Sequence, residues 1–384
     1  MFRRSLAAAL AVVVIAAPTA VAAENKLTTR FATFNASLNR ATEGELLANL
    51  STKDDSQARK VAEVVQRVRP DVLLLNEFDY VSGNRAVDAF RRNYLEVGQQ
   101  GAQPIEYRYS YTAPVNTGVP TGIDLNNDGK VGGGDDAYGF GLFPGQYGMV
   151  VLSKHPIDTA AVRTFQKFRW ADMPGSKLPR DFYSKQAQDI LRLSSKSHWD
   201  VPVQVGRKEV HFLVSHSTPP TFDGPEDRNG KRNHDEIRFW ADYVNPGKGG
   251  YIYDDAGKRG GLTGGPFVFA GDQNADPVDG ESADLPAQLL LKAHKVIDPK
   301  PHSIGAVEAA LVQGGANKGQ RGPSWQDTGD FNDKTPGNLR IDYVLPSLPL
   351  IPVRAGVFWE PSHSPLARLN DASDHHAVWV DVIG

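Results

Sequence analysis

The sequence of 384 residues contains no cysteine. This absence excludes a disulfide framework, a thiolate metal centre and a cysteine-linked lipid anchor. Any metal site must therefore use oxygen and imidazole ligands. An excess of one charge is also missing, because 42 Lys and Arg residues face 45 Asp and Glu residues. Such a chain has no global attraction for polyanions, so a nucleic-acid partner would need a local basic patch. The densest basic stretch, residues 228–238, is typical of a polar loop that leads into a helix.

Long apolar runs are missing after residue 23, and the one run before it is short. Arg3 and Arg4 precede the almost wholly apolar residues 6–17, and small residues follow at 20–23. This pattern predicts a secretory signal peptide over residues 1–23. A retained membrane anchor is the alternative, but the run is shorter than the about 20 residues that cross a bilayer. We therefore expect an exported, soluble protein, extracellular or periplasmic, with no stable membrane insertion.

The remaining chain, residues 24–384, contains many short apolar runs that are typical of β-strands. These runs are residues 29–34, 72–75, 148–152, 210–214, 267–270, 341–345 and 377–382. Apolar residues with helical spacing occur over 56–68 and 234–244, and Pro70 ends the first of these helices. Strands outnumber helices, and polar residues follow several strand ends. The pattern predicts a single layered α+β sandwich with a site along one rim.

Three stretches are rich in glycine, proline and polar residues: 112–145, 165–199 and 219–233. Loops of this length are usually functional or mobile, so we interpret all three as insertions into the sandwich. Their roles are not indicated by any motif of the sandwich itself.

The segment Gly271-Asp272-Gln273-Asn274 directly follows an apolar strand. Its spacing of two places the side chains of Asp272 and Asn274 on the same side of an extended backbone. A carboxylate beside a neutral amide can hold a water, a divalent cation or a phosphoryl oxygen. Asp and Asn after a strand are also ordinary turn residues.

Polar residues stand at five further strand ends. They are Asn35, Glu77, His216, Asp342 and the pair Asp374-His375. Each has an ordinary alternative as a turn residue, a surface ion pair, a core histidine or a loop brace. Together they supply oxygen ligands for Mg²⁺ or Mn²⁺, and histidines that transfer protons or bind a phosphoryl oxygen.

In this order the segments resemble the endonuclease/exonuclease/phosphatase superfamily, which includes deoxyribonucleases, apurinic endonucleases, sphingomyelinases and inositol polyphosphate 5-phosphatases. The resemblance runs from Phe31 to Val382 and includes a Leu-Ser-x-x-Pro-Ile segment over residues 152–157. It implies a four-layer α/β/β/α sandwich with two packed, mainly antiparallel sheets. It also implies a metal-dependent phosphoesterase site at one rim.

The resemblance assigns metal binding to three of these residues. Glu77 is similar to the principal metal ligand, Asn35 to a helper for metal or phosphate, and Asp374 to a metal-associated aspartate. Asn76 departs from the family pattern, because many relatives carry glutamine before the glutamate.

The same resemblance assigns the catalytic roles. Asp272 and Asn274 resemble the pair that orients or activates the attacking water and binds phosphate. His216 matches a position held by histidine in deoxyribonucleases and sphingomyelinases. Asp342 is similar to the carboxylate that orients a catalytic histidine, here His375. Such buttressing fixes the tautomer of an imidazole and raises its pKa.

A separate metal signal lies in the insertion at 112–145. Oxygen donors at loop positions 1, 3 and 5, a glycine at 6 and an acid at 12 fit a calcium loop that resembles the dockerin type. The predicted structural Ca²⁺ ligands are Asp124, Asn126, Asp128, Lys130 (through its carbonyl) and Asp135. No flanking helices are evident, and a flexible Gly/Asp-rich turn is the alternative.

The segment 222–236 follows His216 closely enough to overhang the same rim. We therefore predict that Arg232 or His234 contacts the substrate phosphate or its leaving group. The alternative is a helix N-terminus in which Asn233 is the cap and two acidic residues follow in the first turn.

The sequence thus predicts a secreted, divalent-metal-dependent phosphoesterase that hydrolyses phosphodiesters or phosphomonoesters with an activated water. An extracellular endonuclease acting on DNA or RNA is the alternative. A calcium-stabilised surface module on a catalytically dead scaffold is disfavoured, because none of the site residues is lost. The expected partner is a phosphate ester, with nucleic acid left open, and the sequence indicates no protein partner.

Overall fold

The computed structural model describes residues 28–384, so the predicted signal peptide lies outside the described residues. Within that range the chain forms eleven strands and seven α-helices. The strands are β1 (Thr29–Leu38), β2 (Val72–Phe78), β3 (Tyr109–Tyr111), β4 (Met149–Ser153), β5 (Arg163–Thr164), β6 (His198–Val205), β7 (Lys208–Ser215), β8 (Phe267–Asp272), β9 (Asp342–Pro346), β10 (Ile351–Val357) and β11 (Val378–Ile383). The helices are α1 (Glu45–Leu50), α2 (Ser56–Val68), α3 (Arg85–Phe90), α4 (Lys185–Ile190), α5 (Arg228–Val244), α6 (Ala287–Leu291) and α7 (Ile304–Gln313).

The strands form two sheets. Sheet I has six strands in the order β10-β11-β1-β2-β4-β3, and sheet II has five in the order β5-β6-β7-β8-β9. Only β1–β2 and β7–β8 pair in parallel; all other neighbours are antiparallel. The predicted pair of mainly antiparallel sheets is therefore confirmed.

Alternation along the strands divides the interior into three apolar layers. In β2, Val72 and Leu74 face the layer between the sheets, whereas Leu73 and Leu75 face α1, α2 and α3. In sheet II the residues of β7 and β8 alternate in the same way between the inter-sheet layer and a layer shared with α5. Because successive strand residues point to opposite faces, strands buried on both faces read as continuous apolar runs. The result is the predicted α/β/β/α sandwich.

Helix α2 has the boundaries that the sequence predicts. Asp55 caps it by accepting a hydrogen bond from the backbone N–H of Ala58 (2.8 Å), and Arg69 ends it in the left-handed region (φ 54°). Its apolar stripe packs on the outer face of sheet I. A capped helix with a regular apolar period is the easiest element to place from sequence.

The structure corrects the predicted end of the first strand. Asn35 does not end β1, which continues to Leu38 through an irregular register between Asn35 and Leu38. Ser37 lies in the left-handed region (φ 47°) at this irregularity. The bulge lets the strand continue after the apolar alternation stops, which explains why the sequence pattern ended too early.

The predicted insertion at 219–233 is shorter than expected, because α5 begins at Arg228 and not near residue 234. Asn233 is therefore a buried residue inside the helix, and its interpretation as an N-cap is wrong. Asp223 provides the N-terminal contact instead, since its carboxylate accepts a hydrogen bond from the backbone N–H of Asn229 (2.6 Å).

The insertion at 165–199 packs as part of the core. Phe165, Phe168 and Trp170 are fully buried in the apolar layer under α5, and α4 lies within the same stretch. The insertion at 112–145 has no α-helix or strand but is held by isolated bridges at Thr117–Gly139 and Pro120–Ala137.

Candidate active site

Hydrogen bonds between the two sheets form the centre of the site. Asn35 on β1 donates from Nδ2 to Glu77 Oε1 on β2 (3.1 Å) and to Asp272 Oδ2 on β8 (3.1 Å). The backbone N–H of Asp272 in turn donates to Asn76 Oδ1 on β2 (3.2 Å). The carboxylates predicted from separate strands therefore meet at one rim. Asn35 connects them as a donor, and its Oδ1 accepts from the backbone N–H of Ser37 (3.2 Å).

The end of β8 owes its shape to Gly271. This residue has φ 144°, and a Cβ there would overlap the carbonyl oxygen of Ser215 on β7. Only glycine permits that approach. Because β7 and β8 are parallel neighbours, their ends then place His216 Nε2 at 3.3 Å from Asp272 Oδ2.

Asn274 adopts a left-handed conformation (φ 50°) just after the strand. Its backbone N–H donates to Asp272 Oδ1 (2.8 Å), and its Nδ2 donates to the carbonyl oxygen of Ser217 (3.0 Å). The same Nδ2 lies 3.3 Å from His216 Nε2. The segment thus forms a turn, and the turn places both side chains at the rim.

His375 is held by a carboxylate on its far side. Asp342 Oδ2 accepts from His375 Nδ1 (2.9 Å) and from the Thr328 hydroxyl (2.8 Å). Because a carboxylate only accepts hydrogen bonds, Nδ1 of His375 must carry a proton, so Nε2 is the nitrogen that faces the site. That Nε2 lies 3.7 Å from Asp272 Oδ2. The orientation by Asp342 predicted from the sequence is present in the geometry.

The two histidines differ in charge. Burial alone lowers the pKa of His375, but the carboxylates of Asp342 and Asp272 outweigh it and hold the pKa well above its usual value. Burial lowers the pKa of His216 well below its usual value, and the positive charges of Lys196 and His375 lower it further. The site thus combines a charged and a neutral imidazole, an arrangement typical of acid–base catalysis.

The two buried carboxylates of Glu77 and Asp272 favour the binding of a cation in the site. Burial raises the pKa of both Glu77 and Asp272. No Lys or Arg nitrogen of residues 28–384 lies within 4.0 Å of either carboxylate. Asp374 is exposed beside them and raises the pKa of Glu77 further. Buried carboxylates with no Lys or Arg beside them fit a hard divalent cation, which oxygen ligands prefer.

Among the described residues, one three-residue set of Asp, Glu and His ligand atoms lies within 4.8 Å of one another: Asp272, Asp342 and His375. Asp342 already accepts from His375 and Thr328, so this set also forms a carboxylate–imidazole–carboxylate chain. The cation therefore fits best on the Glu77 side of Asp272.

The buried polar face of α5 connects three loops of the site. Asn233 donates from Nδ2 to the carbonyl oxygens of Thr218 and Gln273, both at 2.8 Å. Glu236 accepts from the backbone N–H groups of Ser195 (2.6 Å) and Thr218 (2.5 Å). These contacts fix the backbone beside His216, Asp272 and Lys196. Spacing of three on a helix places both side chains on one face.

A cleft of about 880 Å³ opens in front of these residues. Its walls come from the 112–145, 165–199 and 219–227 segments on one side and from residues 276–282 and 331–341 on the other. Its apolar lining residues include Leu125, Phe140, Tyr183, Leu191, Phe222 and Phe331. Phe222 and Phe140 are largely exposed at its edge.

The structure places the two predicted substrate-binding residues differently. Arg232 lines the cleft, but its Nε donates to the carbonyl oxygen of Leu193 (2.8 Å) and its Nη2 to those of Tyr138 and Arg192. Its guanidinium therefore braces three loop segments. His234 does not line the cleft; its Nδ1 lies 3.0 Å from Asp235 Oδ1.

The calcium-loop sequence forms a tight turn. Asp124 accepts from the backbone N–H of Asp128 (3.2 Å) and of Gly129 (2.9 Å), and Asn126 Oδ1 also accepts from Asp128 (3.2 Å). The buried acid that turns toward the loop is Asp136, which accepts from Leu125 and Gly132, whereas Asp135 is exposed and lines the cleft.

The carboxylates of Asp124, Asp128 and Asp135 do not come together as a three-ligand set in the described part of the chain. Calcium binding here, with the carbonyl of Lys130 as one ligand, stays a prediction.

Comparison with known proteins decides the family. The model of the Endonuclease/Exonuclease/phosphatase family matches residues 32–375. This chain belongs to that family. The resemblance inferred from the ordered motifs is therefore confirmed. No curated protein sequence matches the chain.

Several solved structures are similar to this chain at low sequence identity. The endonuclease/exonuclease/phosphatase from Beutenbergia cavernae DSM 12333 has a TM-score of 0.50 and 19% identity over 93% of this chain and 71% of its own. Sphingomyelinase C from Streptomyces griseocarneus has a TM-score of 0.49 and 16% identity, over 92% of this chain and 99% of its own. A family protein from Leptotrichia buccalis C-1013-b has a TM-score of 0.48 and 14% identity, with the same coverage.

One residue of the site was missed by sequence reasoning. Lys196 lies two residues before β6, is 6% exposed, and lines the cleft together with Glu77, His216 and Asp272. A lone lysine in a polar stretch carries no pattern that could have marked it.

Proposed function

We propose that this protein is a divalent-metal-dependent hydrolase of small phosphate esters that uses an activated water as the nucleophile. One observation carries the proposal. Asp272 Oδ2 lies between a neutral and a charged imidazole, 3.3 Å from His216 Nε2 and 3.7 Å from His375 Nε2. A base placed between a neutral and a charged imidazole can move protons to and from a reacting phosphate.

Each residue then has a defined task. Asp272, whose pKa is raised by burial, accepts the proton of the attacking water more readily than a solvated aspartate would. Asn274 keeps its Oδ1 free to orient that water, since its Nδ2 donates to Ser217. The charged His375, supported by Asp342, stabilises negative charge on the phosphoryl group and can donate a proton to the leaving oxygen. His216 stays neutral and can accept a proton.

Glu77, with Asp272 and Asp374 beside it, would hold the Mg²⁺ or Mn²⁺ ion that the family implies. When bound, that cation neutralises charge on the phosphoryl oxygens. Asn35 keeps the carboxylates of Glu77 and Asp272 at a fixed separation by donating to both.

The charge of the cleft favours a small ester over nucleic acid. Its acidic lining residues are Glu77, Asp135, Asp272, Asp276, Glu281 and Asp374, and its positively charged ones are Lys196, Arg228, Arg232 and the protonated His375. A polyanion needs many phosphate contacts, which an acidic cleft does not provide. The apolar wall instead suits an ester whose alcohol carries an apolar or aromatic group. The endonuclease alternative is thus less well supported.

We further propose that the protein is exported, on the basis of the signal pattern in residues 1–23. None of the helices between residues 28 and 384 has the length and apolar character needed to span a bilayer. Expression of the full chain in a secreting bacterial host, followed by N-terminal sequencing, tests the export. A mature N-terminus near residue 24 outside the cytoplasm is expected, and an uncleaved, cell-retained chain would contradict it.

The activity is tested with a panel of substrates in Mg²⁺, Mn²⁺ or Ca²⁺. Bis-p-nitrophenyl phosphate, p-nitrophenyl phosphate, sphingomyelin, plasmid DNA and RNA are compared, with Asp272→Ala and His375→Ala as inactive variants. We expect turnover of a small ester that EDTA abolishes and that both substitutions reduce by at least about 100-fold. Turnover that survives EDTA or both substitutions would overturn the proposed mechanism.

A further inference from the structure

Lys196 is a buried ammonium at the wall of the cleft. Only 6% of the residue is exposed, and its side chain lines the cleft with Glu77, His216 and Asp272. No carboxylate oxygen of residues 28–384 lies within 4.0 Å of its Nζ, and within that range Nζ makes no hydrogen bond. A buried charge without a partner is costly, so its position needs a physical reason.

The nearby acid does not provide that partner. Glu236 lies close enough to Lys196 to raise its pKa, but both carboxylate oxygens of Glu236 accept backbone hydrogen bonds, from Ser195 and from Thr218. Glu236 therefore fixes the loop that carries Lys196 and leaves the ammonium directed at the cleft. The backbone beside Lys196 and that beside His216 are held by the same side chain.

We infer that Lys196 binds a non-bridging oxygen of the phosphoryl group positioned at Asp272 and Asn274. This inference rests on the proposed function and adds a lysine contact to the phosphoryl group beside the charge stabilisation by His375. The three N–H donors of its ammonium make no hydrogen bond to residues 28–384, are open to the cleft, and match a phosphoryl oxygen. Binding that oxygen replaces the water that Lys196 loses on burial.

The electrostatics of the site agree with this role. Burial lowers the pKa of Lys196, while the carboxylates of Glu236, Glu77 and Asp272 raise it. A phosphoryl dianion or monoanion adds one more negative neighbour and keeps the ammonium charged. The positive charge at Lys196 also lowers the pKa of His216, so the same residue helps to keep that imidazole neutral.

The test uses inorganic phosphate as the probe and isothermal titration calorimetry as the measurement, on the full mature chain with Mg²⁺ present. Lys196→Met is compared with wild type, and Lys208→Met, which removes an exposed lysine outside the cleft, serves as the matched control. We expect Lys196→Met to weaken phosphate binding by about 10- to 100-fold. Lys208→Met should bind phosphate as wild type does.

A thermal melt separates binding from a structural role. Removing an unpaired buried ammonium should leave Tm unchanged or raise it. If folded Lys196→Met binds phosphate as tightly as wild type does, whatever its Tm, the inference is overturned. Lys196 would then act only as a counter-charge for the buried acids. Should that variant fail to fold, Lys196→Gln is measured against the same expectation.

The two proposals fail in different ways. If the wild type hydrolyses an ester but Lys196→Met binds phosphate as tightly as wild type does, this inference alone is overturned. Phosphate binding that depends on Lys196, without hydrolysis of any ester in the panel, overturns the proposed function alone.

Discussion

At the scale of single residues, the carboxylate of Asp342 sets the charge of His375. Asp342 Oδ2 accepts from Nδ1 of the imidazole at 2.9 Å, and His375 is 6% exposed. Burial disfavours the charged form of His375, and among the groups that raise its pKa the carboxylate of Asp342 contributes most, ahead of that of Asp272. Asp342 is thus the carboxylate that contributes most to keeping this imidazole charged.

Replacing Asp342 with Asn tests this control. The amide can still accept a hydrogen bond but carries no charge, so the pKa of His375 should fall. We expect kcat to drop by about 10²- to 10⁴-fold with little change in KM, and the remaining activity to move to lower pH. Steady-state kinetics on bis-p-nitrophenyl phosphate from pH 5 to 9 measure both effects.

Asp371→Asn, which changes an exposed aspartate paired with Lys60, is the control for Asp342→Asn and should leave kcat unchanged. A kcat of Asp342→Asn within twofold of wild type would contradict the role assigned to this carboxylate.

Asp327 is a second buried acid with a cost attached. Its carboxylate oxygen Oδ2 has no hydrogen-bond partner, and burial together with Asp276 and Asp279 raises its pKa to about 8. The folded state therefore holds this proton more tightly than the unfolded state, whose pKa is near 3.8. Below pH 3.8, Asp327 is protonated in both the folded and the unfolded state and does not affect the free energy of unfolding. As the pH rises from there to about 8, Asp327 lowers the free energy of unfolding by an increasing amount.

Asp327→Asn should remove that cost. We expect the variant to be more stable than wild type by on the order of 2 to 4 kcal/mol at pH 8, and equally stable near pH 4. Thermal or urea unfolding at both pH values measures the difference, with the exposed Asp181→Asn as control. A stability difference between Asp327→Asn and wild type that does not change with pH would show that ionisation of Asp327 does not destabilise the folded state.

Sequence and structure agree best where a residue's role is chemical and local. The candidate residues at or beside the ends of apolar runs meet at one rim; they are Asn35, Glu77, His216, Asp272 and His375. They could be found because the end of an apolar run marks the end of a strand. Lys196 could not be found this way. Its burial depends on a loop held by Glu236, about 40 positions further along the chain.

At the scale of elements, the parallel pair β7–β8 places the base and a histidine side by side. The pairing requires the backbone of Gly271 to approach the carbonyl oxygen of Ser215. Sequence periodicity located both strands but could not show their pairing. The start of α5 was missed for a related reason, since its first residues are polar and include Gly230, so no apolar period begins before Ile237.

Gly271→Ala tests the close approach of these strands. A Cβ would overlap the Ser215 carbonyl, and φ 144° is strained for alanine, so the strands must separate. We expect a loss of about 2 to 4 kcal/mol in the free energy of unfolding and a large loss of kcat.

Gly250→Ala is the matched control, because a Cβ at Gly250 meets no atom within 4 Å. It should change stability by less than about 0.5 kcal/mol. Equal stabilities of the two variants, measured by urea unfolding, would mean that β7 and β8 adapt freely.

At the scale of the whole molecule, acidic and basic residues are nearly balanced, but in the cleft the acidic lining residues clearly outnumber the basic ones. A protein that binds a polyanion through several phosphates loses about 10³- to 10⁵-fold in affinity between 50 and 200 mM salt. This cleft offers one buried ammonium and two arginines, of which Arg232 is bonded to backbone carbonyls.

We therefore expect kcat/KM for bis-p-nitrophenyl phosphate to change by less than about threefold over that salt range. Excess plasmid DNA or heparin should not inhibit the reaction at 50 mM salt. Competitive inhibition by DNA that disappears as salt is added would instead favour the endonuclease alternative. Initial rates at fixed Mg²⁺ are sufficient for the comparison.

Asn35 donates a hydrogen bond to Asp272, and the backbone N–H of Asp272 donates to Asn76. Both bonds run between the two sheets, so neither sheet holds a working site alone. Catalysis therefore begins only when the two halves of the sandwich have closed on each other. During refolding, the rate at which enzyme activity returns would therefore report the rate of that closure. A chain with both sheets formed but not yet packed together would be inactive. Enzyme activity thus provides a direct measure of the final step of folding.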